Sequence, residues 1–329
     1  MSDAIARPPF DPELATFLTA LEARGPFTLT AEMLPHMRQL DVTEEVLDER
    51  LRAHGYARQT VTVPGHLGDP IQLAVIQRAD RTGATTAVYG IHGGGMMFGH
   101  YLSNMDSYDW LLEHDVVLVS VDYRLAPEHP DPYPVEDCYA GLVWVAEHAE
   151  DLGIDPERIV VAGQSAGAGL AAGVALLARD RRGPALMAQI LVSPMLDDRD
   201  ATVSSQQIDG VGVADRQMTR FGWDAYLGER RATDDVSVYA APARATDLSE
   251  LPRTYIDCGS AEVFRDETVA YASAMWAAGV NAELHVWPGA FHGFTSMVPQ
   301  AAVSKSATAA LADWTRRLLA TPTPVAALD

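Results

Sequence analysis

The chain of 329 residues has only two cysteines, Cys138 and Cys258, too few for a disulfide framework. Both lie in apolar segments, so buried free thiols are expected rather than a bridge or a reactive cysteine. The ten histidines are scattered without ligand spacing, and HExxH, CxxC and P-loop strings are missing, so no metal or cofactor is implied. Positive charge is scarce as well: 24 Lys and Arg stand against 45 Asp and Glu, a formal charge of −21. That balance excludes nucleic acid and anionic membrane as expected partners, since both need a basic footprint. No uninterrupted apolar run reaches the length of a membrane span, and residues 1–10 hold no apolar signal-peptide core. The expectation is a soluble, cytoplasmic protein.

What the chain does have is a recurrence of short, β-branched apolar runs with helical segments between them. This is the pattern of a mostly parallel sheet covered on both faces. Strands are expected at 60–64, 71–77, 86–91, 116–121, 158–162, 189–193, 254–258 and 283–287, the first two antiparallel across the turn 65–70. Helices are expected at about 104–114, 134–151, 165–182, 266–278 and 301–319. In the helix 266–278, Val269, Ala272, Met275 and Trp276 form an apolar stripe that should pack on the sheet, and Gly279 is a stop.

Two segments break the alternation. Residues 1–58 read as helices, with Leu14, Phe17, Leu18 and Leu21 on one stripe and Leu40, Leu47 and Leu51 on another. Residues 196–246 form a long insertion whose best helix, 215–226, carries Phe221, Trp223 and Tyr226. The expected organisation is an amino-terminal part of a helical cap (1–58), a main domain (59–195 and 247–329) and a cap insertion (196–246). The aromatics read first as cap core and second as substrate contacts. The tail from Thr321 is expected to fray.

The chemistry concentrates at Gly163-Gln164-Ser165-Ala166-Gly167, which follows an apolar run and opens a small-residue helix. Glycines flanking a serine at a strand-to-helix junction allow a turn sharp enough to push Oγ out toward a substrate carbonyl. The plain alternative is a serine that only caps the helix. An acyl-transfer serine also needs a base, an orienting carboxylate and N–H donors for the oxyanion. His92-Gly93-Gly94-Gly95 follows a strand where such donors are needed, so Gly94 and Gly95 are the expected donors, with the N–H of Ala166. His92 itself is expected to hold this loop in shape. The candidate base is His292, in a loop just past the last strand and so at the same sheet edge as Ser165.

With these strings, and with Asp122-Tyr123-Arg124-Leu125-Ala126-Pro127-Glu128, Pro134-x-Glu136-Asp137 and Phe291-His292-Gly293-Phe294, the chain resembles the hormone-sensitive-lipase-like (bacterial family IV) esterases of the α/β-hydrolase superfamily. The likeness runs from about residue 85 to 295. It implies an α/β-hydrolase fold with an eight-stranded mostly parallel sheet and a helical cap, a Ser, acid, His order along the chain, and often a homodimer. It also implies hydrolysis of short-to-medium acyl esters without interfacial activation. Gln164 departs from the family, which commonly has an acidic residue or threonine there. The segment aligned with the family's D-P-L-x-D-E run is Glu262-Val263-Phe264-Arg265-Asp266-Glu267, so the orienting acid would be Glu262, with Asp266 and Asp257 as rivals.

The expected function is therefore a serine carboxylesterase acting through an acyl-enzyme on a small-molecule ester. Specificity is expected from Met96, Met97 and Phe98 and from the aromatics Trp223 and Tyr226. Alternatives are the same machinery on a lactone, carbamate, amide or acylated natural product, a lyase using the same pocket, and a non-catalytic ligand-binding protein on this fold.

Overall fold

The computed structural model describes residues 5–320 apart from 24, 26–27, 40–42, 104–107, 109–110 and 112–113. The expected helix at 104–114, the position of Leu40 and the tail from Thr321 fall wholly or largely outside the described residues.

Eight strands form one sheet: β1 (Tyr56–Pro64), β2 (Pro70–Arg78), β3 (Thr85–Ile91), β4 (Val116–Asp122), β5 (Ile154–Gln164), β6 (Ala188–Val192), β7 (Arg253–Gly259) and β8 (Ala282–Trp287). Their order is β1-β2-β4-β3-β5-β6-β7-β8. Only β2 runs against its neighbours, pairing antiparallel with β1 and β4, while all later pairings are parallel. Parallel strands need crossovers, and these supply the helices that cover the sheet.

Alternation along the central strand sorts the two faces. Ile159 and Val161 of β5 join one core with the helices Tyr133–Glu147, Ala166–Asp180 and Arg265–Ala277, whereas Val160 and Ala162 join a second core under Trp314 and Leu318 of the helix Ala302–Leu319. Because both faces are covered, the central strands read as unbroken apolar runs. Cys138 and Cys258 are buried and free.

The helix Arg265–Ala277 corrects the expected stripe. Its buried face is Thr268, Tyr271, Ala272 and Met275, while Trp276 is 49% exposed and donates its indole N–H to Ala282 O at 2.9 Å. One helical step of about 100° carries Trp276 off the face that Met275 shares with Thr268 and Tyr271.

Outside the sheet, the helix Pro12–Glu22 buries Leu14 and Leu18, and Glu44–Ala53 buries Leu47 and Leu51. The insertion helix is Arg216–Leu227, capped by Asp215, whose carboxylate accepts from Met218 N–H at 2.9 Å. Leu29 and Leu34 from the amino-terminal segment, Met218 and Phe221 from the insertion, and Met97 and Phe98 gather in one apolar cluster. No helix among the described residues is long and apolar enough to cross a membrane.

Candidate active site

Ser165 sits between β5 and the helix Ala166–Asp180 with φ 59° and ψ −125°, a backbone region that L-residues rarely occupy. Such a conformation costs about 1–3 kcal/mol and persists only where its surroundings over-determine it. Here Ser165 N–H donates to Val192 O at 2.9 Å, and its carbonyl accepts from the N–H groups of Ala168, Gly169 and Met195, each at 3.1 Å. A Cβ on Gly163 would lie 2.3 Å from the Gly167 carbonyl, and one on Gly167 would lie 2.2 Å from Ile91 O. The turn closes only because both are glycine, and the second contact brings the end of β3 against the serine turn.

The Ser165 side chain makes no cap bond to its helix. Its Oγ instead lies 2.9 Å from His292 Nε2, and His292 Nδ1 lies 3.3 Å from Glu262 Oε1. A carboxylate can only accept, so Nδ1 carries the ring proton and Nε2 is left to accept from the serine hydroxyl. Glu262 is buried, and its other oxygen accepts from Ser193 Oγ at 2.9 Å and Gly259 N–H at 2.7 Å. These bonds fix the carboxylate in one orientation and offset the cost of burying it.

The two rival acids lie elsewhere. Asp266 accepts from Ser204 N–H at 2.7 Å and Arg265 Nε at 2.7 Å, at the start of its helix. Asp257 accepts from Tyr255 OH at 3.1 Å and Trp287 Nε1 at 3.0 Å. Neither has a recorded bond to His292 among the described residues.

The loop His92–Gly95 abuts this centre: a Cβ on Gly93 would lie 2.9 Å from Gln164 O. Gly94 and Gly95 both have positive φ, 108° and 62°. His92 holds the loop, as expected, with its ring stacked on Tyr123 at 4.2 Å and its Nδ1 2.8 Å from Gly93 O. Three braces were invisible in the local strings. Tyr123 OH donates to His92 O at 2.9 Å. Arg38, from the amino-terminal segment, donates to Met97 O at 2.8 Å and Ala126 O at 3.0 Å and pairs with Glu128. Phe291, beside the histidine, is stacked by Phe17 and edged by Phe10. The Asp122–Glu128 string marked Tyr123 and Glu128, but their partners lie far away in sequence.

Of the residues expected to set specificity, Met96, Trp223 and Tyr226 are at most 1% exposed and belong to the main core. They present almost no open surface. Met97 and Phe98 lie in the apolar cluster shared with the amino-terminal segment and the insertion. A Cβ on Gly95 would meet the Met97 methyl at 3.1 Å, so that methyl borders the glycine loop.

A model of the α/β-hydrolase fold matches residues 88–296. Carboxylesterase NlhH of Mycobacterium tuberculosis is 36% identical over 317 residues, covering 91% of this chain and 93% of the relative. Among solved structures, a bacterial heroin esterase superposes with TM-score 0.84 at 39% identity, covering 95% of this chain and 98% of that one. Esterase LipW from Mycobacterium marinum gives 0.78 at 33% identity, covering 96% and 99%. With its eight-stranded sheet, its strained serine turn and these relatives, the chain belongs to the α/β-hydrolase-fold family, in its hormone-sensitive-lipase-like branch.

Proposed function

We propose that the protein is a carboxylic ester hydrolase that works through an acyl-enzyme on Ser165. The observation that carries this reading is the 2.9 Å contact between Ser165 Oγ and His292 Nε2, on a serine whose hydroxyl does not cap its helix. His292 takes the serine proton as Oγ attacks the ester carbonyl, and Glu262 stabilises the imidazolium that forms. The backbone N–H groups of Gly94, Gly95 and Ala166 hold the oxyanion. His292 then gives its proton to the departing alcohol, and in the second half-reaction it draws a proton from water as the acyl group is released. The relatives' names, carboxylesterase and esterase, support an ester as the bond broken.

The acyl group is short to medium. Met97 and Phe98, large side chains past the glycine loop that cluster with Met33, Met37 and Phe221, are assigned to the acyl side by their position after the oxyanion glycines. The test is hydrolysis of p-nitrophenyl esters from acetyl to dodecanoyl by the wild type, Ser165→Ala and Phe98→Ala. Turnover should peak at short chains, vanish in Ser165→Ala and shift to longer chains in Phe98→Ala. Retained turnover in Ser165→Ala would overturn the mechanism, and an unchanged chain-length profile in Phe98→Ala would overturn the assignment of the acyl side.

A further inference from the structure

Behind the serine turn, on the sheet face covered by the helix Ala302–Leu319, lies a cavity of about 330 Å³ that neither Ser165 nor His292 lines. Its mouth is at the surface, between Ser296, Pro299 and Thr308, and its floor is formed by the buried Ile190 and Asp257 and the half-buried Val192. Strand register explains why polar and apolar groups meet there. Gln164 of β5 pairs with Val192 of β6, which pairs with Asp257 of β7, so the three form one row across the sheet with side chains on the same face.

Asp257 is only 4% exposed. Its Oδ2 accepts from both Tyr255 OH and Trp287 Nε1, while Oδ1 has no recorded bond among the described residues. The Gln164 amide likewise has no recorded bond among the described residues, although it lines the same cavity. A carboxylate oxygen and an amide that make no hydrogen bond among the described residues therefore line a space whose remaining walls are mostly apolar, through Ala162, Ile190, Val192, Ala307 and Leu311, with Thr295, Ser296 and Thr308 adding hydroxyls. A mostly apolar cavity with a few polar groups at one place is the usual form of a small-molecule pocket, so this pair marks where a ligand's polar end belongs.

We propose that this cavity is a second ligand site, which takes a small amine with an apolar body. The ammonium donates to Asp257 Oδ1 and the Gln164 side-chain carbonyl, and the body packs on Ile190, Val192 and Leu311. A charged donor suits the site better than a hydroxyl. Burial pushes the Asp257 carboxyl up to about 6, with Trp287 and Tyr255 opposing, Glu262 adding to the rise and His285 opposing it. It is thus a carboxylate at neutral pH and gains from a cation beside it. Gln164 precedes the nucleophile and Thr295 follows His292 by three residues, so an occupant touches both arms of the catalytic centre from behind.

The test is calorimetric titration at pH 7.5 with benzylamine and with benzyl alcohol, on the wild type, Asp257→Asn and Leu311→Trp. Leu311→Trp fills the cavity while leaving the buried carboxylate in place, so it decides the matter even if Asp257→Asn fails to fold. The wild type should bind benzylamine at least tenfold more tightly than benzyl alcohol. Asp257→Asn should bring the amine down to the level of the alcohol, and Leu311→Trp should weaken both tenfold or more. Equal affinity for amine and alcohol in the wild type, unchanged binding in Leu311→Trp, or no binding of benzylamine would each overturn the proposal.

Discussion

Glu262 is the residue whose role depends most on geometry. Its contact with His292 Nδ1 and its own bonds from Ser193 and Gly259 are what support its proposed role as the acid that sets the imidazole tautomer. Glu262→Gln keeps the shape but can present a donor to Nδ1, so kcat should fall on the order of 10³–10⁴-fold, as when the acid of a serine triad becomes an amide. Asp266→Asn, which disturbs a helix start and its bond from Ser204 N–H, should leave kcat within a few-fold and lower the melting temperature. The reverse pattern would make Asp266 the orienting acid. Ser165 stood out in the sequence because strand, glycine and serine occur within one short string and local sterics dictate that turn, whereas His292 was singled out by its loop past the last strand and its order along the chain. Glu262 was readable only through resemblance, since nothing in its own neighbourhood says which carboxylate faces a histidine 30 residues later. Ser193 was read as the end of a strand. Its hydrogen bond to Glu262 spans 69 residues, and no local pattern encodes it.

At the level of elements, the amino-terminal segment grips both arms of the catalytic centre. Asp11 N–H donates to Gly289 O at 2.9 Å and Phe17 stacks on Phe291, so one end of the segment holds the histidine loop. Arg38 holds the glycine loop through Met97 O and Ala126 O. Arg38→Met should lower both the melting temperature and kcat, by about 1–3 kcal/mol in stability for the partly buried carbonyl bonds it removes. The expected kinetic signature is a fall in kcat with KM little changed; a lower melting temperature with kcat intact would confine Arg38 to a structural role. Its ion pair carries a pH signature. Arg38 holds the Glu128 carboxyl down at about 2, below its ordinary 4.5, so the pair's contribution is present above pH 4.5 and is lost as pH falls toward 2. The stability difference between wild type and Glu128→Gln should therefore be visible at pH 6 and shrink from pH 4.5 downward, and a difference that grows in acid would contradict the assignment. Glu128 is largely exposed, so the difference should be small.

The strands themselves were legible from apolar, β-branched runs, and their centres stand where expected. Their ends were less so. β5 begins at Ile154, four residues before the expected start, because Asp155-Pro156-Glu157 reads as a turn although Ile154 pairs with Thr85. The stripe of the helix Arg265–Ala277 was misjudged by one position because apolar residues occur on two sides of it, and only contact with the sheet decides which side is buried.

For the whole molecule, the strand order was not written in any run: that β4 passes outside β3 to meet β2 is a property of the packed sheet. The sheet also carries acids that burial disfavours. The Asp257 carboxyl is raised to about 6 from 3.8, chiefly by desolvation. A raised acid contributes stability that is fully present below pH 3.8 and is lost as pH rises through about 6. Relative to Asp257→Asn, the wild type should lose stability across that window and run parallel to it above, as read from urea midpoints at a series of pH values. Parallel curves throughout would mean that Asp257 stays ionised and well solvated.

The central claim is that Ser165 is the nucleophile of an acyl-transfer centre, and the most direct measurement is fluorophosphonate labelling followed by peptide mass mapping. A single adduct on the peptide carrying Ser165, formed rapidly in the wild type and at least a hundredfold more slowly in His292→Ala, is the predicted result. No adduct, or an adduct on another residue, would contradict the account.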